Sequence, residues 1–190
     1  MPWYRSPVKG IGLEIREAAG VYGPLDDTFL MIEALENREL GNKVLELGTG
    51  TGIIAVYCSK RGAEVTATDI SEEALRLARE NAELNGERIE FIKSDLFEAV
   101  KGRFDAVIFN PPYLPDEEPR DVAIDGGKNG YELTERFLMG LPEHLEPDGR
   151  CYLLLSSIDA PERLLKTYEH RLIAEKAFFF ERLYAFEIWI

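Results

Sequence analysis

The chain has 190 residues, with 22 Lys and Arg against 35 Asp and Glu, a net charge of −13, and 45% hydrophobic residues. That length suits one domain with a full core, and the composition is ordinary for a globular protein. The acidic balance argues against a general nucleic-acid binder, because phosphate backbones are held largely by Lys and Arg, and the basic residues here (Lys60-Arg61, Arg76, Arg79, Lys101, Arg103) are dispersed. Two Cys, Cys58 and Cys151, and two His, His144 and His170, give no metal-ligand spacing. The cysteines fall in an expected helix and an expected strand, so buried thiols are expected rather than a disulfide. The sequence shows no signal peptide and no apolar run long enough to span a membrane, and a cytoplasmic location is expected.

In chain order, residues 1–21 read as an N-terminal extension and 22–190 as one domain. Thr28 to Leu35 reads as a helix with apolar Phe29, Leu30, Ile32 and Leu35. The apolar run Val44-Leu45-Glu46-Leu47 feeds into Gly48-Thr49-Gly50-Thr51-Gly52, after which Ile53 to Tyr57 is helical in character. Strand, glycine-rich turn and helix is the layout of a nucleotide-cofactor loop, in which backbone approaches the ligand closely. The spacing departs from the dinucleotide fingerprint: Gly52 comes two residues after Gly50, not three. Glu46 lies inside the approach to this turn, a poor neighbour for a pyrophosphate and a good one for a cofactor bearing positive charge.

A second strand, Ala63 to Thr68, ends in Asp69, roughly 20 residues past the glycines, where such folds place a carboxylate for ribose hydroxyls. Ser71 is set to cap the helix that follows. A third strand, Arg88 to Lys93, ends at Ser94-Asp95-Leu96, and a fourth, Asp105 to Phe109, at Asn110-Pro111-Pro112-Tyr113. Two prolines in a row fix φ and remove two N–H donors, freeing backbone carbonyls for a ligand. The Asn amide adds an acceptor and Tyr113 a flat face, a set suited to a planar group carrying an NH2. Tyr131 to Leu141 then reads as a helix, Gly149 to Ser156 as a buried fifth strand, Pro161 to Glu169 as a helix, and Leu172 to Phe180 with Leu183 to Ile190 as a terminal hairpin. Alternating strand and helix implies an α/β fold, a parallel sheet with helices on both faces.

Glu46-Leu47-Gly48-Thr49-Gly50-Thr51-Gly52, Asp69, Asp95 and Asn110-Pro111-Pro112-Tyr113, in this order, resemble the class I S-adenosylmethionine-dependent methyltransferases. Val21-Tyr22-Gly23-Pro24-Leu25-Asp26-Asp27-Thr28-Phe29-Leu30 and Gly126-Gly127-Lys128-Asn129-Gly130-Tyr131-Glu132 narrow the likeness to the HemK-like release-factor glutamine N5-methyltransferases, short archaeal and eukaryotic type. The segment upstream of Asp26-Asp27-Thr28 departs from the family, with Pro24-Leu25 where it often has Pro-Ala or Pro-Ser.

The resemblance implies a Rossmann-like, seven-stranded, mostly parallel sheet with a C-terminal antiparallel hairpin. It implies S-adenosyl-L-methionine as cofactor, Asp69 on the ribose, Asp95 and Leu96 at the adenine, and Thr28, Glu46, Gly48 and Gly50 around the methionine end and its loop. It also implies a translation release factor as protein substrate, N5-methylated at the glutamine of a Gly-Gly-Gln motif, and a small zinc-binding activator on the third strand's edge. Ile89, Phe91 and Ile92 make that strand unusually apolar for an edge.

Mechanistically, the expectation is that Asn110 Oδ1 and the Pro111 carbonyl accept hydrogen bonds from the target NH2 and orient its nitrogen, with Tyr113 packed on the planar group. Methylation of exocyclic amines in RNA or DNA, which requires an extruded base, methylation of lysine, and a non-catalytic scaffold remain as alternatives at this stage. The Asp116-Glu117-Glu118 run would repel phosphate and tolerate a basic protein.

Overall fold

The apolar runs of the first half become parallel strands because each is short, apolar and closed by Gly, Asp or Asn. A computed structural model describes residues 12–112 and 131–190 and the backbone of 3–5; Tyr113, the acidic run at 116–118 and the glycine-rich stretch as far as Gly130 lie outside the described residues. The elements in order are β1 (Trp3–Arg5), β2 (Glu14–Arg16), α1 (Asp26–Leu35), β3 (Lys43–Leu47), α2 (Ile53–Lys60), β4 (Glu64–Asp69), α3 (Glu72–Leu84), β5 (Glu90–Lys93), β6 (Phe104–Phe109), α4 (Glu132–His144), β7 (Leu145–Ser156), α5 (Pro161–Leu164), β8 (Glu169–Ala177) and β9 (Arg182–Trp189). Seven strands form one sheet in the order β5-β4-β3-β6-β7-β9-β8, and β1 pairs with β2 in a separate hairpin. The first five of the seven run parallel, while β9 lies antiparallel between β7 and β8. This is the Rossmann-like sheet with a terminal antiparallel hairpin that the sequence led us to expect.

Period-two alternation sorts the core. Along β6, Ala106 and Ile108 join one buried cluster with Val44 and residues of α1 and α2. Val107 and Phe109 join the other, with Leu45, Leu47 and Phe137, Leu138 and Leu141 of α4. Leu13 and Ile15, ahead of α1, are fully buried in the first cluster.

Several element boundaries differ from the sequence reading. The fifth strand begins at Leu145 rather than Gly149: Leu145 pairs with Phe104, Arg150 with Ala106, and the residues between bulge out of the ladder. The helix expected over 161–169 stops at Leu164, because Glu169 already pairs with Trp189 on β9. The third strand starts at Glu90, opposite Thr66, two residues later than expected. Helix α1 starts at Asp26, two residues earlier than expected. The hairpin's first arm ends at Ala177, leaving Phe179 and Phe180 exposed at its tip.

Two amides, Asn81 on α3 and Asn85 just past its end, anchor the N-terminal segment. Asn81 Oδ1 accepts from the Arg16 N–H at 2.8 Å, and its Nδ2 donates to the carbonyls of Arg16 (3.0 Å) and Thr51 (2.8 Å). One turn later Asn85 repeats the exchange with the N–H and carbonyl of Glu14, at 3.1 and 2.7 Å. Side-chain amides thus supply the hydrogen bonds that a second neighbouring strand, on the edge away from β1, would give β2.

The start of α2 presses against α3 at Gly52, which has φ +80° and space for no side chain: a Cβ there would lie 2.8 Å from Ala78 Cβ. Gly52→Ala therefore combines left-handed backbone strain with a backbone clash. It is expected to cost about 2–3 kcal/mol in urea unfolding; a midpoint equal to wild type would contradict the packing.

Candidate active site

The strand order reverses at β3, which pairs with β4 on one side and β6 on the other. At such a switch point the loops after neighbouring strands leave in opposite directions and open a crevice at the strands' carboxyl ends. A cleft of about 730 Å³ lies there, and Thr28, Glu46, Gly48, Gly50, Asp69, Asp95, Leu96, Asn110 and Pro111 all line it. Four strand ends and the start of α1 thus bring together every described residue that the sequence singled out. Tyr113 lies outside the described residues.

Glu46 shares its strand face with Val44 and is 3% exposed. Its Oε2 accepts from the Thr49 hydroxyl at 2.5 Å. Burial pushes its carboxyl up to about 8; the Thr49 hydroxyl and the Ala55 N–H pull it down, and the charge of Asp69 adds to the rise. Within the described residues no cation offsets its charge, so the ionised form gains from a positive ligand group. Asp69 is fixed by backbone donors: Gly50 N–H to Oδ2 at 3.0 Å and Ser71 N–H to Oδ1 at 2.8 Å. Burial raises its carboxyl too, opposed by those N–H groups. Ser71 caps α3 through the Ala74 N–H, so the cap and the cleft-lining Asp69 carboxylate coexist.

Leu96 adopts φ +48°, left-handed for a residue with a branched side chain. Ser94 stabilises this turn: its hydroxyl donates to the Leu96 carbonyl at 2.8 Å and accepts from the Ala99 N–H at 3.0 Å. Backbone strain of this kind, about 1–2 kcal/mol, concentrates where a ligand is clamped.

Asn110 closes β6. Its Nδ2 donates to Asp27 Oδ2 at 2.8 Å, while Oδ1 is buried with no partner among the described residues. A buried carbonyl oxygen without a donor is costly unless a ligand completes it. Two cleft-lining residues make contacts that the sequence reading did not assign. Asp27, 3% exposed, holds Asn110. Arg136 on α4 reaches across the cleft to Asp95 at 2.9 Å.

The sequence matches the model of the methyltransferase small domain over residues 12–179. The chain belongs to this methyltransferase family. Among relatives of this methyltransferase, a provisionally named protein N5-glutamine methyltransferase of Methanocaldococcus jannaschii is 43% identical over 77% of this chain and 78% of its own length. A release factor glutamine methyltransferase of Deinococcus radiodurans is 36% identical over 79% of this chain and 59% of its own. Among solved structures, the E. cuniculi Mtq2–Trm112 complex, responsible for methylation of the eRF1 translation termination factor, is similar with a TM-score of 0.72 and 28% identity, over 90% of this chain and 98% of that one. The resemblance drawn from the motifs thus holds for this methyltransferase, and the greater coverage of the archaeal relative agrees with the short type.

Proposed function

We propose that this methyltransferase transfers a methyl group from S-adenosyl-L-methionine to the side-chain amide nitrogen of a glutamine in a translation release factor. The observation that carries the reading is the Asn110 amide: a buried acceptor, unpartnered among the described residues, at the end of a strand and followed by two prolines that offer no N–H of their own. Such a group completes its hydrogen bonding with an incoming NH2. The glutamine methyltransferase relatives, and the solved complex that methylates a termination factor, support the substrate class.

The cleft's residues fit the cofactor. Glu46, whose charge no described cation offsets, suits a cationic methionine end that draws its carboxyl into the ionised form, and the rigidly held Asp69 suits ribose hydroxyls. Asp95 and Leu96 would border the base, and Thr28, Gly48 and Gly50 the methionine end. The bound cofactor supplies an activated methyl group on a sulfonium.

The protein's task is orientation. An amide nitrogen is a weak nucleophile because its lone pair is delocalised. Asn110 Oδ1 and the Pro111 carbonyl hold the two NH2 hydrogens, fixing the nitrogen's direction and favouring the positive charge that develops on it. Tyr113 is assigned to the planar face of the target.

The same reading assigns a small zinc-binding activator to the free edge of β5. Ile89 and Phe91 pack on the core, Arg79 donates to the Phe91 carbonyl at 3.3 Å, and Ile92 remains half-buried on the other face. A partner strand there would complete the ladder. Adding the partner is expected to raise both activity and solubility; full activity of the isolated enzyme, with no gain on addition, counts against it.

The deciding experiment incubates the protein with methyl-labelled cofactor and, in parallel, a release factor, total RNA and DNA. Label on the release factor, lost when its Gly-Gly-Gln glutamine is changed, is the expected result. Label on nucleic acid would overturn the substrate and the inference from a net charge of −13.

A further inference from the structure

Asp26 and Asp27 open α1 side by side, and both could be read as acids placed favourably in a helix's first turn. Their surroundings separate them. Asp26 is exposed and pairs with Lys176 at 2.7 Å. Asp27 is buried, its Oδ2 meets Asn110 Nδ2 at 2.8 Å across 83 residues of sequence, and its Oδ1 lies 3.4 Å from the Thr28 hydroxyl.

A carboxylate only accepts hydrogen bonds, and a primary amide has one donating and one accepting end in a single plane. With Nδ2 turned to Asp27, Oδ1 must face away. Flipping the amide would set two acceptors 2.8 Å apart with no proton between them. The carboxyl partner also polarises the amide and strengthens its carbonyl as an acceptor.

We infer that Asp27 is a positioning residue: it fixes the Asn110 amide with its acceptor outward and so selects a target that brings hydrogens, an NH2, over one that brings lone pairs. A glutamine amide is admitted and a glutamate carboxylate refused for the same reason. The inference rests on the N-methyl-transfer reading of the site.

The test compares Asp27→Asn, Asn110→Asp, the two changes together, and Asp26→Asn as the control that alters helix charge without touching Asn110. For each, kcat, acceptor KM, cofactor Kd by calorimetry and Tm are measured. Asp27→Asn lets the amide at position 110 turn either way. It is expected to lower kcat by about 10²-fold, with cofactor Kd and Tm close to wild type and close to Asp26→Asn. Asn110→Asp alone opposes two carboxylates. The exchange variant restores a donor facing an acceptor, now with the donor at position 27, and is expected to regain about tenfold over Asn110→Asp.

Wild-type kcat in Asp27→Asn overturns the inference. So does a loss explained wholly by cofactor Kd or Tm, or an exchange variant no better than Asn110→Asp. If the wild-type enzyme leaves release-factor glutamine unmodified, the substrate reading fails by itself; the same variants then decide the role of Asp27 on whichever NH2 acceptor the wild type does methylate.

Discussion

Asn110→Ala is expected to lower the rate of methyl transfer by about 10²–10³-fold, the loss typical when one preorganised polar contact to a developing charge is removed. The change leaves β3, the glycine turn and Asp69 untouched, because Asn110 follows the last residue of β6 and its described hydrogen bond runs to Asp27 alone. Cofactor affinity is therefore expected to stay within a few fold of wild type. Single-turnover kinetics with labelled cofactor, beside calorimetric binding, separate the two effects. Near-normal turnover in the variant would remove Asn110 from the chemistry and with it the reason for an amide-bearing target. A fall in cofactor binding equal to the fall in rate would move its role to the cofactor.

Glu46 links the cofactor to the proton. Its carboxyl is raised from 4.5 to about 8 chiefly by burial, so the empty protein holds a proton there at neutral pH that the unfolded chain has already lost. Its contribution to folding stability is accordingly fullest below pH 4.5 and is lost as pH rises through about 8. A ligand carrying positive charge favours the ionised carboxylate, so binding below pH 8 expels the proton. Affinity is then expected to rise with pH, by up to about tenfold per pH unit while one proton is released, and to level off above pH 8. Calorimetry in buffers of different ionisation enthalpy counts that proton directly. Glu46→Gln is expected to bind the cofactor more weakly and with a flat pH dependence. Affinity that is flat in the wild type, with no proton released, would show that the carboxylate meets no cation.

How much of this was legible beforehand depends on how far each signal reaches along the chain. The glycine turn, Asp69 and Asn110 announce themselves locally, because a strand ending in Gly, Asp or Asn carries its own boundary. The Pro147-Asp148-Gly149 stretch also reads as a turn, and it does leave the ladder, but Leu145 on its near side still pairs with Phe104. Leu164 and Leu165 suggest a longer helix than α5, and only the distant partner Trp189 makes Glu169 a strand residue. Asp27 stood in a segment that carried the family resemblance, but nothing in the sequence pointed to its bond with Asn110. An acidic pair at a helix start is commonplace, and its partner lies in an element 83 residues away. The strain at Leu96 was equally silent, since leucine carries no preference for positive φ.

Asn81 ties two distant pieces of backbone to one side chain: the Arg16 strand and the Thr51 carbonyl inside the glycine turn. The amide protons of Glu14 and Arg16 are thereby built-in reporters, since each donates to a side-chain amide, Asn85 at the end of α3 and Asn81 within it. Their exchange with solvent requires β2 to peel from α3, an opening that also strips the Asn81 bridge. A ligand that tightens the glycine turn should slow deuterium uptake at positions well outside the cleft, so occupancy can be followed in the intact protein without a label on either partner.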